Sequence, residues 1–365
     1  MTHDDIIVVH NESKANEIMD KLLGKNPIFI CTIGNTETAK IPGISAAGAL
    51  PEITDCTPPA DVELLFYGKC KCIEGVPVTP DGVPTPALIT MSALKLANIP
   101  TFAVAGGVRI KPHAPFIDLG GVPGEDIRSG KAVKNVEEII ERAKICGRNF
   151  SAVADYLVIG ESVAGGTTTA LGTMLAMGRD SRRKVSSSMP SNPHELKIKT
   201  VEDGMRAAGI EFGELRENPV KAVACLGDPM IPAFAGLVAG AAESIPVVLA
   251  GGTQIGAVLS VVKALRPEVL DNLVIGTTRW IIDDKTADMK GVITQIADVP
   301  ILAANLNFSS SRFDGLKAYE EGVAKEGVGA GGASIATILK SHGRITGRIL
   351  LDEIERNYEQ LVGLK

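Results

Sequence analysis

Short apolar runs recur along the chain, each closed by Gly or Pro. They lie at 28–32, 62–66, 101–105, 156–159, 222–226, 246–250 and 273–275, with a weaker last member at 299–302. Most are apolar at nearly every position. That is the pattern of strands buried on both faces rather than strands with one face in water. Between them the period changes. Val136, Ile139, Ile140 and Ala143 mark one face of a helix over 136–146, and 230–242 and 255–265 read as largely apolar helices. Strand, Gly turn, helix, strand is the βαβ rhythm of an α/β protein. The expected architecture is an open, mostly parallel Rossmann-like sheet with helices on both faces. It spans one α/β domain over residues 26–332. Residues 1–25 and 333–365 are charged and read as helical, so a smaller helical layer from both terminal segments is expected to pack on it.

Two segments break the rhythm. Residues 77–86 carry Pro77, Pro80, Pro84 and Pro86 with Asp81-Gly82, the makings of a rigid irregular loop. Residues 179–200 are polar and read as a long surface connection. The uncharged stretch 244–262 is long enough to span a membrane, but Pro246, Gly251 and Gly252 divide it into strand, turn and helix.

Composition narrows the function classes. The chain has 365 residues, 45% hydrophobic, which supplies a sizeable core and argues against disorder. The net charge of −6 offers no basic field for nucleic acid. Only 9 Phe, 1 Trp and 4 Tyr leave little for base-stacking platforms. Six Cys are too sparse for a disulfide scaffold. Cys70-x-Cys72 lacks a second pair at zinc spacing and the His residues are scattered, so neither a metal nor a cofactor is expected. Met1-Thr2-His3-Asp4-Asp5 lacks the order of a secretory signal. The expectation is a cytoplasmic protein without membrane or nucleic-acid partners. Glycine is abundant, 39 residues, and it gathers just past the apolar runs. In open parallel sheets those are the ligand-binding ends of the strands.

Three glycine-rich or irregular segments are candidates for chemistry. Gly160-Glu161-Ser162-Val163-Ala164-Gly165-Gly166-Thr167-Thr168 follows a buried run and opens a helix. Backbone amides at such a start favour phosphate. Thr167 stands where a nucleoside-triphosphate loop has its Lys, which argues against triphosphate hydrolysis. A turn needing Gly only for packing explains the segment equally well. Lys325-Glu326-Gly327-Val328-Gly329-Ala330-Gly331-Gly332 sets a carboxylate before close-set glycines. Taken alone, it reads first as an exposed Glu at a helix start. Finally, 66–76 is placed after an expected strand, as a ligand wall or an ordinary connection.

The order of these segments resembles the nicotinate-nucleotide–dimethylbenzimidazole phosphoribosyltransferase family, in a divergent, archaeal-type branch. That family has Gly-Glu-Met-Gly-Ile-Gly-Asn-Thr-Thr where this chain has Gly160 to Thr168. Its late Gly-Glu-Gly-Thr-Gly-Ala-Ala corresponds to Glu326-Gly327-Val328-Gly329-Ala330, after Asn307 to Arg312. The likeness runs from about residue 64 to 339. Gly166 replaces an Asn, Val163 a Gly, and Gly251-Gly252 an Asp-Gly.

The resemblance implies a pentosyltransferase that moves the phosphoribosyl group of nicotinate mononucleotide to a benzimidazole-type base. It also implies a homodimer and a place in cobamide lower-ligand biosynthesis. By match to the family, Glu326 is the catalytic base and Glu161 the carboxylate facing the ribosyl centre. Gly165, Gly166, Thr167 and Thr168 would hold the phosphate, with Ser309, Ser310, Gly327 and Gly329 as further phosphate or ribose contacts. Phe66, Val76 and Val78 would line the acceptor slot. The alternatives are a non-catalytic mononucleotide-binding regulatory protein of the same fold, and a transferase with a different acceptor base.

Overall fold

The computed structural model describes residues 4–45, 51–73, 78, 82–189 and 191–363. One eight-stranded sheet organises them. Its strands are β1 (Ile6–His10), β2 (Pro27–Gly34), β3 (Thr101–Gly107), β4 (Ile117–Asp118), β5 (Tyr156–Ser162), β6 (Val247–Ala250), β7 (Leu273–Thr278) and β8 (Ile301–Ala304). The spatial order is β1-β8-β7-β6-β5-β2-β3-β4. Every pairing is parallel except β1 against β8.

Fourteen α-helices are described: α1 (Glu12–Leu22), α2 (Thr57–Tyr67), α3 (Ala87–Ala97), α4 (Val136–Ser151), α5 (Gly166–Ala176), α6 (His194–Ala208), α7 (Pro219–Leu226), α8 (Met230–Ala241), α9 (Ile255–Leu265), the short α10 (Arg279–Ile282), α11 (Met289–Thr294) and α12 (Asp314–Lys317), then α13 (Ala330–Lys340) and α14 (Gly347–Gly363).

The alternation of side chains along the strands divides the core in two. Ile28, Ile30, Leu157 and Ile159 face a cluster built with α4 to α9. Phe29, Cys31, Tyr156 and Val158 face the other, built with α1, α2, α3, α13 and α14. The mostly parallel sheet covered on both faces is the expected fold class. None of the helices among the described residues is long and apolar enough to cross a membrane.

Four expectations need correction. The run 62–66 is helix α2, not a strand; Pro58 and Pro59 occupy its first turn and Gly68 closes it at φ 67°. The run 222–226 is helix α7, capped by the Asn218 side chain on the Lys221 amide with Pro219 in the first turn. A short apolar run has no periodicity to separate buried helix from buried strand, so the caps carried the information. The terminal segments also differ from a purely helical layer. Residues 6–10 are the antiparallel edge strand, and α13 lies buried from Ala330 to Leu339 directly against β5 to β8.

The segment 179–200 is likewise no surface connection. Val185, Ser186, Ser187 and Lys197 are buried, and α6 begins at His194. Polar residues turn inward here because each finds a partner. The Ser186 amide donates to Thr253 Oγ1 (2.8 Å), and Lys197 Nζ donates to the Ser186 carbonyl (2.7 Å).

Candidate active site

Chain direction creates a crevice. From β2 the sheet grows one way to β3 and β4, and the other way to β5, β6, β7 and β8. The reversal falls between β2 and β5, and ligands bind at such switch points beyond the carboxyl ends of the strands. Glu161 stands there. Strand β5 runs through Ser162, so Gly160 and Glu161 belong to the strand rather than to the turn after it. Register with β2, Glu161 opposite Thr32, fixes the carboxylate in place. Burial, with the Asp228, Glu326 and Asp61 carboxyls nearby, raises the Glu161 pKa well above the ordinary value.

Glu326 arrives from the far end of the chain. The Val328 amide donates to the Glu161 carbonyl at 3.0 Å, which joins the two glycine-rich segments. Gly329 must be glycine twice over. It has φ 69°, and a Cβ there would lie 3.0 Å from both Gly160 Cα and Ala250 Cβ. Glu326 is the helix-start carboxylate the sequence suggested. Its oxygens accept from the Gly327 amide (3.1 Å) and the Gly331 amide (3.1 Å) at the head of α13. It is not simply a surface cap, however. Burial pushes its pKa up to about 8, against the hydrogen bonds from the Gly327, Gly331, Ala330 and Thr278 amides.

The head of α5 forms the adjacent wall. Gly165 caps it with φ 74°, and a Cβ on Gly166 would strike Val163 Cγ1 at 2.6 Å. Thr168 Oγ1 is buried with no hydrogen-bond partner among the described residues. A hydroxyl left unpaired at the start of a helix has the chemistry to receive an anionic ligand. Thr167 is part-exposed beside it.

Residues without a sequence signature complete the crevice. Asp61 on α2 accepts from Ser162 Oγ (2.7 Å) and Thr85 Oγ1 (2.9 Å), and burial lifts its pKa to about 6. Asp228 accepts from Thr169 Oγ1 (2.5 Å) and from the Met230 amide (2.9 Å) at the start of α8, and burial lifts it to about 6 as well. Lys197 is fully buried, and burial together with the Lys325 charge lowers it to about 7, while Asp284 opposes the shift. Lys325 pairs with Asp284 at 2.8 Å. Near Gly252, a Cβ would lie 3.5 Å from Ser186 Oγ and 3.9 Å from Glu326 Cβ, so the segment carrying Ser186 borders the site. A lone Asp inside an otherwise apolar stretch was the available signal for Asp61 and Asp228; Lys197 lies in a polar stretch and offered none.

The remaining candidates lie elsewhere or apart. Ser309 and Ser310 sit on the exposed loop after β8. Ser309 Oγ donates to Asn307 Oδ1 (2.6 Å), and Arg348 Nη1 donates to Ser310 Oγ (3.2 Å). They line a shallow cavity of 280 Å³ with Asp5, Asn305 and Gly347, which the site carboxylates do not line. Gly327 packs on Pro86, where a Cβ would stand 3.3 Å from Cγ. Phe66 is part-buried on α2, one turn and a residue beyond Asp61, and Val78 bridges to Pro84. Val76, and with it most of the proline-rich loop before residue 82, lies outside the described residues. Glu63 ties α2 to the segments around Cys72 and His113. It accepts from the Cys72 amide (2.8 Å) and from both the amide and Nδ1 of His113 (2.9 and 2.8 Å).

Comparison with known proteins agrees with this fold. A family model described as Phosphoribosyltransferase matches residues 123–280, which include β5, α5 and Asp228. That match covers under half of the chain and makes this segment similar to phosphoribosyltransferases, which are pentosyltransferase enzymes. Three archaeal relatives extend the likeness over most of the chain. The UPF0284 protein of Methanothermobacter thermautotrophicus is 43% identical over 89% of this chain and 91% of its own length. Those of Archaeoglobus fulgidus (45% identical, 92% and 94%) and Pyrococcus furiosus (47%, 84% and 91%) are similar to the same extent. The chain belongs to the UPF0284 family. Among solved structures, the nicotinate-nucleotide–dimethylbenzimidazole phosphoribosyltransferase of Thermus thermophilus superposes with a TM-score of 0.60 at 17% identity, covering 90% of this chain and 83% of that one.

Proposed function

We propose that this chain transfers the 5-phosphoribosyl group of nicotinate mononucleotide to a benzimidazole-type base, releasing nicotinate and giving an α-ribazole 5′-phosphate. The observation that carries the reading is the meeting of Glu161 and Glu326 at the switch point of the sheet, beside an anion-receptive helix start. The class match and the activity named for the Thermus neighbour support it.

The chemistry asks little of the protein at the leaving group. The pyridinium nitrogen is already cationic, so its bond to C1′ breaks with the electron pair staying on nitrogen and no general acid is required. The unprotonated ring nitrogen of the acceptor forms the new bond to C1′, and the other ring nitrogen gives up its proton to the Glu326 carboxylate. Positive charge developing at the ribosyl centre faces Glu161. The amides of Gly165, Gly166 and Thr167 with the Thr168 hydroxyl hold the 5′-phosphate. Lys197, lowered to about 7 by burial, holds the carbonyl of Ser186, which borders the site. Phe66 and Val78 contribute to the acceptor wall. A cytoplasmic homodimer is part of the same reading.

The test is direct. The protein is incubated with nicotinate mononucleotide and 5,6-dimethylbenzimidazole, and free nicotinate is measured, with other benzimidazoles and purines as alternative acceptors. Release with one acceptor class supports the reading and names the base. Nucleotide binding by calorimetry without release from any acceptor would replace it with a non-catalytic binding protein.

A further inference from the structure

The turn that carries Glu326 runs against ordinary backbone preference. Ala324, Lys325 and Val328 have φ of 65°, 49° and 54°. Non-glycine residues hold such angles only where the surroundings over-determine them, and such places gather at functional sites. The surroundings here are specific. The Ala324 amide donates to the Ser188 carbonyl (3.1 Å), and Thr278 Oγ1 donates to the Lys325 carbonyl (2.7 Å). Thr90 Oγ1 donates to the Val328 carbonyl (2.9 Å), while the Val328 amide is held by Glu161. Four elements, the 185–188 segment, β7, α3 and β5, thus grip one short turn.

The Lys325 side chain adds a fifth hold. Its ammonium lies 2.8 Å from Asp284 Oδ2, with the two side chains only 5% and 4% exposed. Asp284 is itself fixed, because its Oδ1 accepts from the Thr286 amide (2.9 Å) and hydroxyl (2.7 Å). A buried ion pair is weak evidence for stability, since an apolar pair of similar volume often serves as well. Asp284 Oδ2 makes no hydrogen bond among the described residues, so the pair acts through charge at a fixed distance, as apolar contacts do not.

We propose that the Lys325–Asp284 pair is a positioning device for Glu326, clamping the left-handed turn so that the Glu326 carboxyl stays on the head of α13 and faces Glu161. Lys325 touches no reacting atom; it acts through the residue that follows it. The inference rests on Glu326 being the base of the reaction proposed above. It adds that the base is held from the loop after β7, outside both glycine-rich motifs. The titratable groups facing Glu326 include Glu161 from β5 and the buried Tyr319 phenol.

The decisive variant removes both charges at once, Lys325→Met with Asp284→Asn, so that no orphan ion is left buried. A clamp predicts a folded protein whose KM for the mononucleotide stays within about threefold. Its kcat falls on the order of 10²-fold, the scale of a small misplacement of a reacting group. Carboxyl-labelled glutamate, assigned by Glu326→Gln, gives a second readout by NMR without any substrate. The Glu326 titration moves from about 8 toward the ordinary 4.5 as the turn loosens into solvent. Lys325→Arg, which keeps the pair, keeps both values. Lys325→Leu with Asp284→Leu, which replaces the pair by an apolar one, serves if the first double variant does not fold; it lowers kcat and shifts the titration in the same sense. Wild-type kcat and an unmoved Glu326 titration in either folded variant overturn the clamp. If the wild-type chain releases no nicotinate at all, the proposed reaction fails, and the titration still decides the clamp.

Discussion

Glu161 and Glu326 reach the same crevice from turns of opposite construction. Glu161 is the penultimate residue of a buried strand, aligned by its ladder to β2. The turn behind it takes its left-handed position at a glycine, Gly165, where that conformation carries no Cβ penalty. Glu326 has no strand beneath it. Its turn places Ala324, Lys325 and Val328 in left-handed conformations and is held by hydrogen bonds and an ion pair from distant elements. A sheet positions a side chain as a by-product of its own stability. A turn of the second kind positions one only because several tertiary contacts agree, and the strain it carries is what those contacts oppose.

The largest effect that would sharpen this contrast is on turnover. Glu326→Gln keeps an acceptor for the Gly327 and Gly331 amides but no longer takes a proton. Its kcat should fall about 10²-fold or more with mononucleotide affinity nearly unchanged, read by nicotinate release and calorimetry. Unchanged turnover would remove the second turn from the chemistry and leave Glu326 as a helix cap.

The pH profile comes next. Burial raises Glu326 to about 8, so in the free protein its carboxyl holds its proton below that pH. The base form grows as pH rises, so kcat/KM should climb about tenfold per unit up to pH 8 and then level. A profile flat from pH 6 to 9 would break the assignment of the base.

The smallest expected effect tests the first turn. Thr168→Val removes a buried hydroxyl that has no partner among the described residues, at little cost to stability. If the turn receives phosphate, KM for the mononucleotide should rise about tenfold, the worth of one hydrogen bond to a charged group. An unchanged KM with a higher melting temperature would make the turn a packing device alone.

The two turns also differ in how legible they were. Gly160 to Thr168 follows a buried apolar run, so strand, turn and helix could be read in order, and Glu161 with them. Glu326 was visible as a motif, but alone it looked like an exposed helix start. It does cap α13, yet within a crevice that only the fold encloses. Lys197, Asp61, Asp228 and Asp284 stood in no motif, and nothing local gave Lys325 a partner. Their meaning lies in burial, and burial is set by segments remote in the chain. The same holds for 62–66 and 222–226. Their apolar content was plain, but Pro in the first turn and a Gly after the last residue, rather than period, marked them as helices.

The sequence by itself therefore determined the sheet's rhythm and the glycine turns at its carboxyl edge. Period, turn residues and the clustering of glycine are local properties, set within a few positions of one another. Only the tertiary structure decided that β5 stands at the switch point, that Val328 ties the last motif to Glu161, and that Lys325 meets Asp284. Each of these is a contact between distant segments. Its energy depends on what is excluded from water when the chain closes, and no window of neighbouring residues contains that.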